Sequence, residues 1–111
     1  MHRKIFSATT IGADSSVDSK EDQLFDGKTT HSFQYEITGD GTLTFTVYIR
    51  VGGGSWIESN VFTGYTDTSG PGSDGKDIIP LSLKPGDSAK VMATETGTSD
   101  ACVLSMWFGQ M

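Results

Sequence analysis

The residues able to do chemistry are few and scattered along the chain. His2 and His31 stand far apart in sequence, and neither lies in a nucleophile motif. A serine–histidine–acid triad needs a histidine oriented beside its nucleophile, and nothing around either residue marks one. His31 opens an alternating run and reads as a partly exposed strand residue. Zinc wants four Cys and His ligands, and there is one cysteine, Cys102, inside the apolar run "ACVLSMWF". A lone thiol in such a run reads as a buried structural group, and it excludes an internal disulfide. Asp67, Asp74 and Asp77 lie in the glycine-rich stretch "TGYTDTSGPGSDGKD", residues 63–77. Carboxylates in such loops are the hard oxygens that calcium takes, yet the spacing is not that of an EF-hand, and a solvated acidic loop is the plainer reading. Whether this loop holds calcium or a glycan is left open at this level. The glycines at 52–54 would need a helix start to cradle phosphate, whereas a strand-like run follows. No cofactor or metal is expected.

Aromatic side chains are the other candidates. Tyr48, Trp56, Tyr65 and Trp107 are the types that stack on sugar rings. Trp56 and Tyr65 are the candidate glycan contacts. Trp107 falls in the apolar last run and reads as core or interface, because aromatics bury the most area per side chain.

These residues must be held by strands. Leu43, Phe45, Val47, Ile49 and Val51 alternate with Thr42, Thr44, Thr46, Tyr48 and Arg50, the period of a strand with one buried face. Phe33, Tyr35 and Ile37 alternate in the same way over 30–38. "GDG" at 39–41 signals a tight turn, so the spacing pairs 30–38 with 42–51 as a hairpin. Residues 3–11 read as a first strand or an extended arm, 13–28 as an acidic loop leading into a short strand, with room for one helical turn near 18–25. A short strand begins near Trp56. "IIPLSL" at 78–83 carries Pro80, which lacks a donor and belongs at an edge or bulge. "SAKVMATET" at 88–96 is a further strand, and 101–108, apolar on both faces, suits a central one. No stretch has convincing helical periodicity. About seven or eight short strands with regular turns predict an all-β fold, an antiparallel β-sandwich or jelly roll spanning 1–111 as one domain, with 1–10 as a possible N-terminal arm.

Composition narrows the function classes. The chain has 111 residues, 35 % hydrophobic and 20 % charged, enough for one modest core. The net charge is −6, and setting Arg3 and Lys4 aside leaves 6 of the 8 basic residues against 14 acidic ones. Nucleic-acid binding needs clustered Lys and Arg, so it is not expected. No apolar stretch approaches the ~20 residues of a membrane helix, and the N-terminus lacks the apolar segment of a signal peptide. Synthesis and folding in the cytoplasm, with no membrane partner, are the expectation.

The stretches "GTLTFTVYIRVGGGSWIE", "SGPGSDGKDIIPLSL" and "AKVMATETGTSDACVLSMWFGQM" resemble small β-sandwich proteins encoded among the structural genes of tailed bacteriophages. There a "GTVTF"-like strand leads to a turn and a Trp, a "DGKDIY"-like strand follows, and "KATETGG"-like and "AWLAVQ"-like segments close the chain. The resemblance covers most of 39–111 and is weaker over 1–38. The strand–turn–Trp pattern is also similar to discoidin-like jelly rolls, with "GGGSW" in place of "DGxxW". The phage resemblance implies a non-enzymatic virion component, above all a capsid decoration or cement protein made in the host cytoplasm. Its partners would be the major capsid protein or other virion proteins, and it would form a dimer or trimer. The implied assembly contacts are Arg3, Lys4, Ile5 and Phe6, on an arm that adds a strand to a neighbour. The alternative is a carbohydrate-binding or adhesive module on a phage tail or head, working through Trp56 and Tyr65.

Overall fold

The computed structural model describes residues 1–25 and 27–111; Asp26, counted above in the acidic segment, lies outside them. Among the described residues nine strands follow in chain order: β1 (His2–Ile11), β2 (Ser16–Asp18), β3 (Asp22–Gln23), β4 (His31–Gly39), β5 (Leu43–Arg50), β6 (Ile57–Tyr65), β7 (Lys76–Leu81), β8 (Ser88–Glu95) and β9 (Cys102–Gln110). They form two antiparallel sheets, one ordered β1-β9-β4-β7 and the other β2-β8-β5-β6, with β3 also on β8. The fold is an all-β sandwich. Among the described residues no helix is long and apolar enough to cross a membrane. The acidic segment holds β2 and β3 instead of a helical turn.

Alternation builds the core. Phe33, Tyr35 and Ile37 of β4 face Leu43, Phe45, Val47 and Ile49 of β5, all at most 2 % exposed. Phe33 and Phe45 meet edge to face, with ring centroids 5.6 Å apart, and Tyr35 lies 5.7 Å from Phe45. Such pairs add about 0.5–1.5 kcal/mol beyond area burial. Ala89, Val91 and Ala93 of β8 and Leu104, Met106 and Phe108 of β9 complete the layer.

The contact between β4 and β5 overturns one expectation. These strands are not a hairpin. β4 pairs with β7 and β9, and β5 pairs with β6 and β8. The "GDG" turn, with Gly39 at φ 96°, therefore carries the chain across from one sheet to the other. The physical reason is the location of the apolar faces. In a hairpin both would lie on one side of one sheet, whereas in an arch they close on each other. Alternation specifies the face and says nothing of the partner.

Other expectations hold. β7, with Pro80, is an edge strand, and β9 is central between β1 and β4. Of the two readings offered for the N-terminus, the first strand is the one formed. Residues of β1 pair with β9 from His2↔Gly109 to Ile11↔Cys102, with register shifts between Lys4 and Phe6 and between Phe6 and Thr9. The first shift turns the successive residues Ile5 and Phe6 both inward, to 4 % and 3 % exposure.

Candidate functional site

The implied assembly contacts divide. Arg3 and Lys4 are exposed, but Ile5 and Phe6 belong to the core. In the folded chain they cannot reach a neighbour, because β1 has already added itself to its own β9. That corrects the expectation of an arm held free by residues 1–10.

The glycan candidates divide as well. Trp56 follows the turn after Arg50, near the Ile49 end of β5, whereas Tyr65 pairs with Leu43 at the other end. They do not share a site. Tyr65 packs into the core, its ring centroid 5.1 Å from Tyr35 and 5.3 Å from Phe45. Trp56 is half-buried beneath two cations: the Arg50 guanidinium lies 4.3 Å and the Lys90 ammonium 5.0 Å from its ring. Glu21 and Asp18 hold those cations at 3.0 and 3.1 Å. Each cation–π contact at such a surface contributes roughly 0.5–1 kcal/mol. This ladder roofs the polar face of β5 at its Tyr48–Arg50 end. Nearer the middle Thr46 is only 6 % exposed, on the sheet row that pairs it with Met92 and Val61. The threonine face is therefore partly roofed by its own neighbours.

The long connection spans 66–75, since β6 runs to Tyr65 and β7 begins at Lys76. It is stitched to the sandwich. The Ile37 N–H donates to the Gly75 carbonyl at 2.9 Å, and the Gly75 N–H to the Ser69 carbonyl at 2.9 Å. Gly75 is buried at φ 78°, and a Cβ there would stand 2.6 Å from the Ile37 oxygen, so only glycine fits. Among the described residues no group of three or more His, Cys, Asp or Glu side chains is placed to hold a metal ion. Beneath the loop the buried Tyr35 hydroxyl has no hydrogen-bond partner. Burial, and then the negative charge of Asp77, pushes that phenol up to about 12.

Two buried polar clasps close the ends of the sandwich. At one end Glu95, with no exposed surface, accepts N–H bonds from Thr42 at 2.8 Å, Gly97 at 2.6 Å, Thr98 at 2.8 Å and Asp14 at 3.1 Å. These bonds, led by that of Thr42, hold its carboxyl down at about 2 against the opposing effect of burial. Beside it Cys102 is 2 % exposed, and burial, with the Glu95 charge, raises its thiol to about 11. The thiol is buried, as its place in an apolar run predicts. At the other end Gln110, also without exposed surface, donates to the Gln23 carbonyl at 2.7 Å and to Asp22 Oδ2 at 3.3 Å, and accepts from the Phe25 N–H at 3.1 Å. Neither clasp follows from residue type, but one signal was present. Glu95 continues the inward phase of Ala89, Val91 and Ala93, and Gln110 that of Leu104, Met106 and Phe108.

The outer faces and edges remain. On the outside of the first sheet Lys4, Trp107, Gln34 and Ile78 form one cross-strand row, and His2, Gly109, Ser32 and Pro80 the next. A groove of about 250 Å³ opens between the rows, lined by His2, Ser32, Gln34, Ile78, Trp107 and Gly109. β6 and β7 are edge strands of their two sheets, and Asn60 of β6 donates to the carbonyl of Ser82, just past the end of β7, at 3.2 Å. They leave Ile57 56 %, Val61 47 % and Ile78 60 % exposed.

No family model and no curated protein matches the sequence. Among solved structures the chain is similar to TmCBM61, described in complex with β-1,4-galactotriose (TM-score 0.47, 10 % identity, covering 92 % of this chain and 69 % of that one). It is similar to the carbohydrate-binding module CBM36 in complex with calcium and xylotriose (0.46, 13 %, 98 % and 88 %). It is also similar to a chain of infectious bursal disease virus, Gx strain (0.43, 10 %), covering 97 % of this chain and 28 % of the viral one. At such identities and scores the likeness does not extend to what this chain binds.

Proposed function

We propose that the chain is a non-enzymatic structural protein of a tailed-phage virion, most specifically a capsid decoration or cement protein that works by surface contact. The phage resemblance over 39–111 supports this, and one structural observation carries it. β6 and β7 are each the edge strand of their sheet, and Ile57 and Val61 on β6 and Ile78 on β7 are largely uncovered. Open edges with apolar side chains are a liability for a solitary protein and an asset for one that seats on a neighbour. In this reading the exposed residues of the β6 edge, Ile57 and Val61, take over the role first assigned to the N-terminal arm. The partner is the major capsid protein or another virion protein, with a dimer or trimer of this chain at each lattice site.

The test is mass photometry, together with co-sedimentation on empty heads of the source phage. The comparison is between the full chain and the variants Ile57→Lys and Val61→Lys. Wild type should oligomerise or bind heads, and the variants should lose this while keeping their melting temperature to within about 3 °C, as surface changes do. A wild-type monomer that binds no heads refutes the proposal. The alternative, a carbohydrate-binding or adhesive module, calls for an aromatic beside free polar groups, which Trp56 and Tyr65 do not jointly provide.

A further inference from the structure

We infer that the outer face of the β1-β9-β4-β7 sheet carries a saccharide site, seated on Gly109 against Trp107. This goes beyond the virion reading and does not depend on it.

The groove exists because of one missing side chain. β9 presents Val103, Ser105, Trp107 and Gly109 outward, and at Gly109 the row has no side chain to fill it. The Ser32 hydroxyl stands over this bare backbone, 3.2 Å from where a Cβ would be. Gln34, across the sheet from Trp107, and His2, across from Gly109, bring an amide and an imidazole to the same groove. Ile78 adds an apolar wall, 60 % exposed.

That set of groups matches one ligand chemistry. A pyranose ring has an apolar C–H face, which stacks on an indole, and a rim of hydroxyls that both donate and accept. Amide, hydroxyl and imidazole are donor–acceptor groups of the same kind. An apolar peptide side chain would instead cover the Ser32 hydroxyl and the His2 imidazole without giving them partners. The volume of about 250 Å³ lies just below the usual range for drug-sized ligands of roughly 300–1,000 Å³, which suits a single ring.

The platform is also preorganised. Trp107 sits on β9, one of the two inner strands of its sheet, and the Lys4 ammonium lies 5.0 Å from its ring without lining the groove. A stacking residue fixed on a rigid strand costs little ordering on binding. Trp56 has two cations over its ring, Arg50 and Lys90, where Trp107 has one, Lys4.

The test is a nitrogen-15 amide-shift titration of the full chain. The probes are methyl α-glucoside, methyl α-mannoside, methyl β-galactoside and methyl N-acetyl-β-glucosaminide, each up to about 50 mM, enough to saturate the low-millimolar affinity expected of about twelve heavy atoms. At least one glycoside should shift the amides of Ser32, Gln34, Trp107 and Gly109. Trp107→Ala should weaken that binding at least tenfold. Should Trp107→Ala fail to fold, two milder variants decide. Gly109→Ala fills the notch at a position with no left-handed backbone, and Gln34→Ala removes an exposed amide. Each should weaken binding about threefold to tenfold, while Trp56→Phe binds like wild type. The inference falls if no glycoside shifts these amides. It falls too if the shifts gather around Trp56, if Gly109→Ala and Gln34→Ala bind like wild type, or if N-acetyl-tryptophanamide binds the groove and no glycoside does.

Discussion

Replacing Gln110 with leucine keeps the approximate volume and removes both polar atoms of one clasp. Three groups are then left behind: the Phe25 N–H, the Gln23 carbonyl and the Asp22 carboxylate, the last only 8 % exposed. A buried polar group without its partner costs about 1–3 kcal/mol. Gln23 and Phe25 lie on exposed residues, so water reaches their backbone and each falls near the low end. Asp22 adds about 1 kcal/mol more, and the added apolar burial of leucine offsets roughly 1 kcal/mol of the total. The net loss is about 2 kcal/mol, a sizeable share of the roughly 5–15 kcal/mol that holds a domain together. At this chain length that lowers Tm by about 8 °C. Urea denaturation followed by tryptophan fluorescence gives the free energy, and amide exchange locates it. Exchange at Phe25 should speed up well before global unfolding, because β3 loses its tie to β9 and keeps only β8. A Tm within about 2 °C of wild type, with the Phe25 amide still protected, would refute the view that Gln110 fastens the two sheets at this end.

The opposite clasp should show itself in acid. The folded carboxyl of Glu95 is held down at about 2, below the ordinary glutamate value of 4.5. Its contribution is therefore complete above about pH 5 and disappears as pH falls through 4.5 towards 2. Unfolding free energies measured from pH 6 to pH 2 should fall steeply for wild type and less steeply for Glu95→Gln, and parallel curves would exclude Glu95 as the acid-sensitive group. At the long loop, Gly75→Ala forces a Cβ against the Ile37 and Asp67 carbonyls at a positive φ, which should cost about 2–4 kcal/mol. Limited proteolysis should then cut within 66–75, and an uncut, equally stable variant would show that the loop seats without Gly75.

Much of the sandwich was legible because strand periodicity reports burial directly. Phe33, Tyr35 and Ile37, and the Leu43–Ile49 set, point inward as their spacing predicts, and Pro80 marks an edge as a missing donor must. The pairing of strands was not legible. A run of alternating residues meeting "GDG" is the same whether the chain turns back beside itself or crosses to the facing sheet, and long-range contacts decide between the two. The N-terminus misled for a related reason. "RKIFSATT" lacks clean alternation, since the β1 register shift puts Ile5 and Phe6 on the same side. Glu95 and Gln110 escaped because residue type outweighed phase, although their positions continued the inward row. The Trp107 groove depends on the absence of a side chain at Gly109, and an absence has no local signature until its neighbours across the sheet are known.

The position of β9 also governs how the molecule can be made. It lies between β1 and β4, so the first sheet has no centre until residues 102–110 have left the ribosome. Among the described residues only β5 and β6 are both adjacent in sequence and paired, so nearly every other pairing must wait for distant chain. Topologies of this kind fold slowly, over milliseconds to seconds, and meanwhile the edges of β1 and β4 stay open to the wrong partner. A chain stopped before residue 102 therefore keeps only the β4–β7 pair of its first sheet, with β1 unattached.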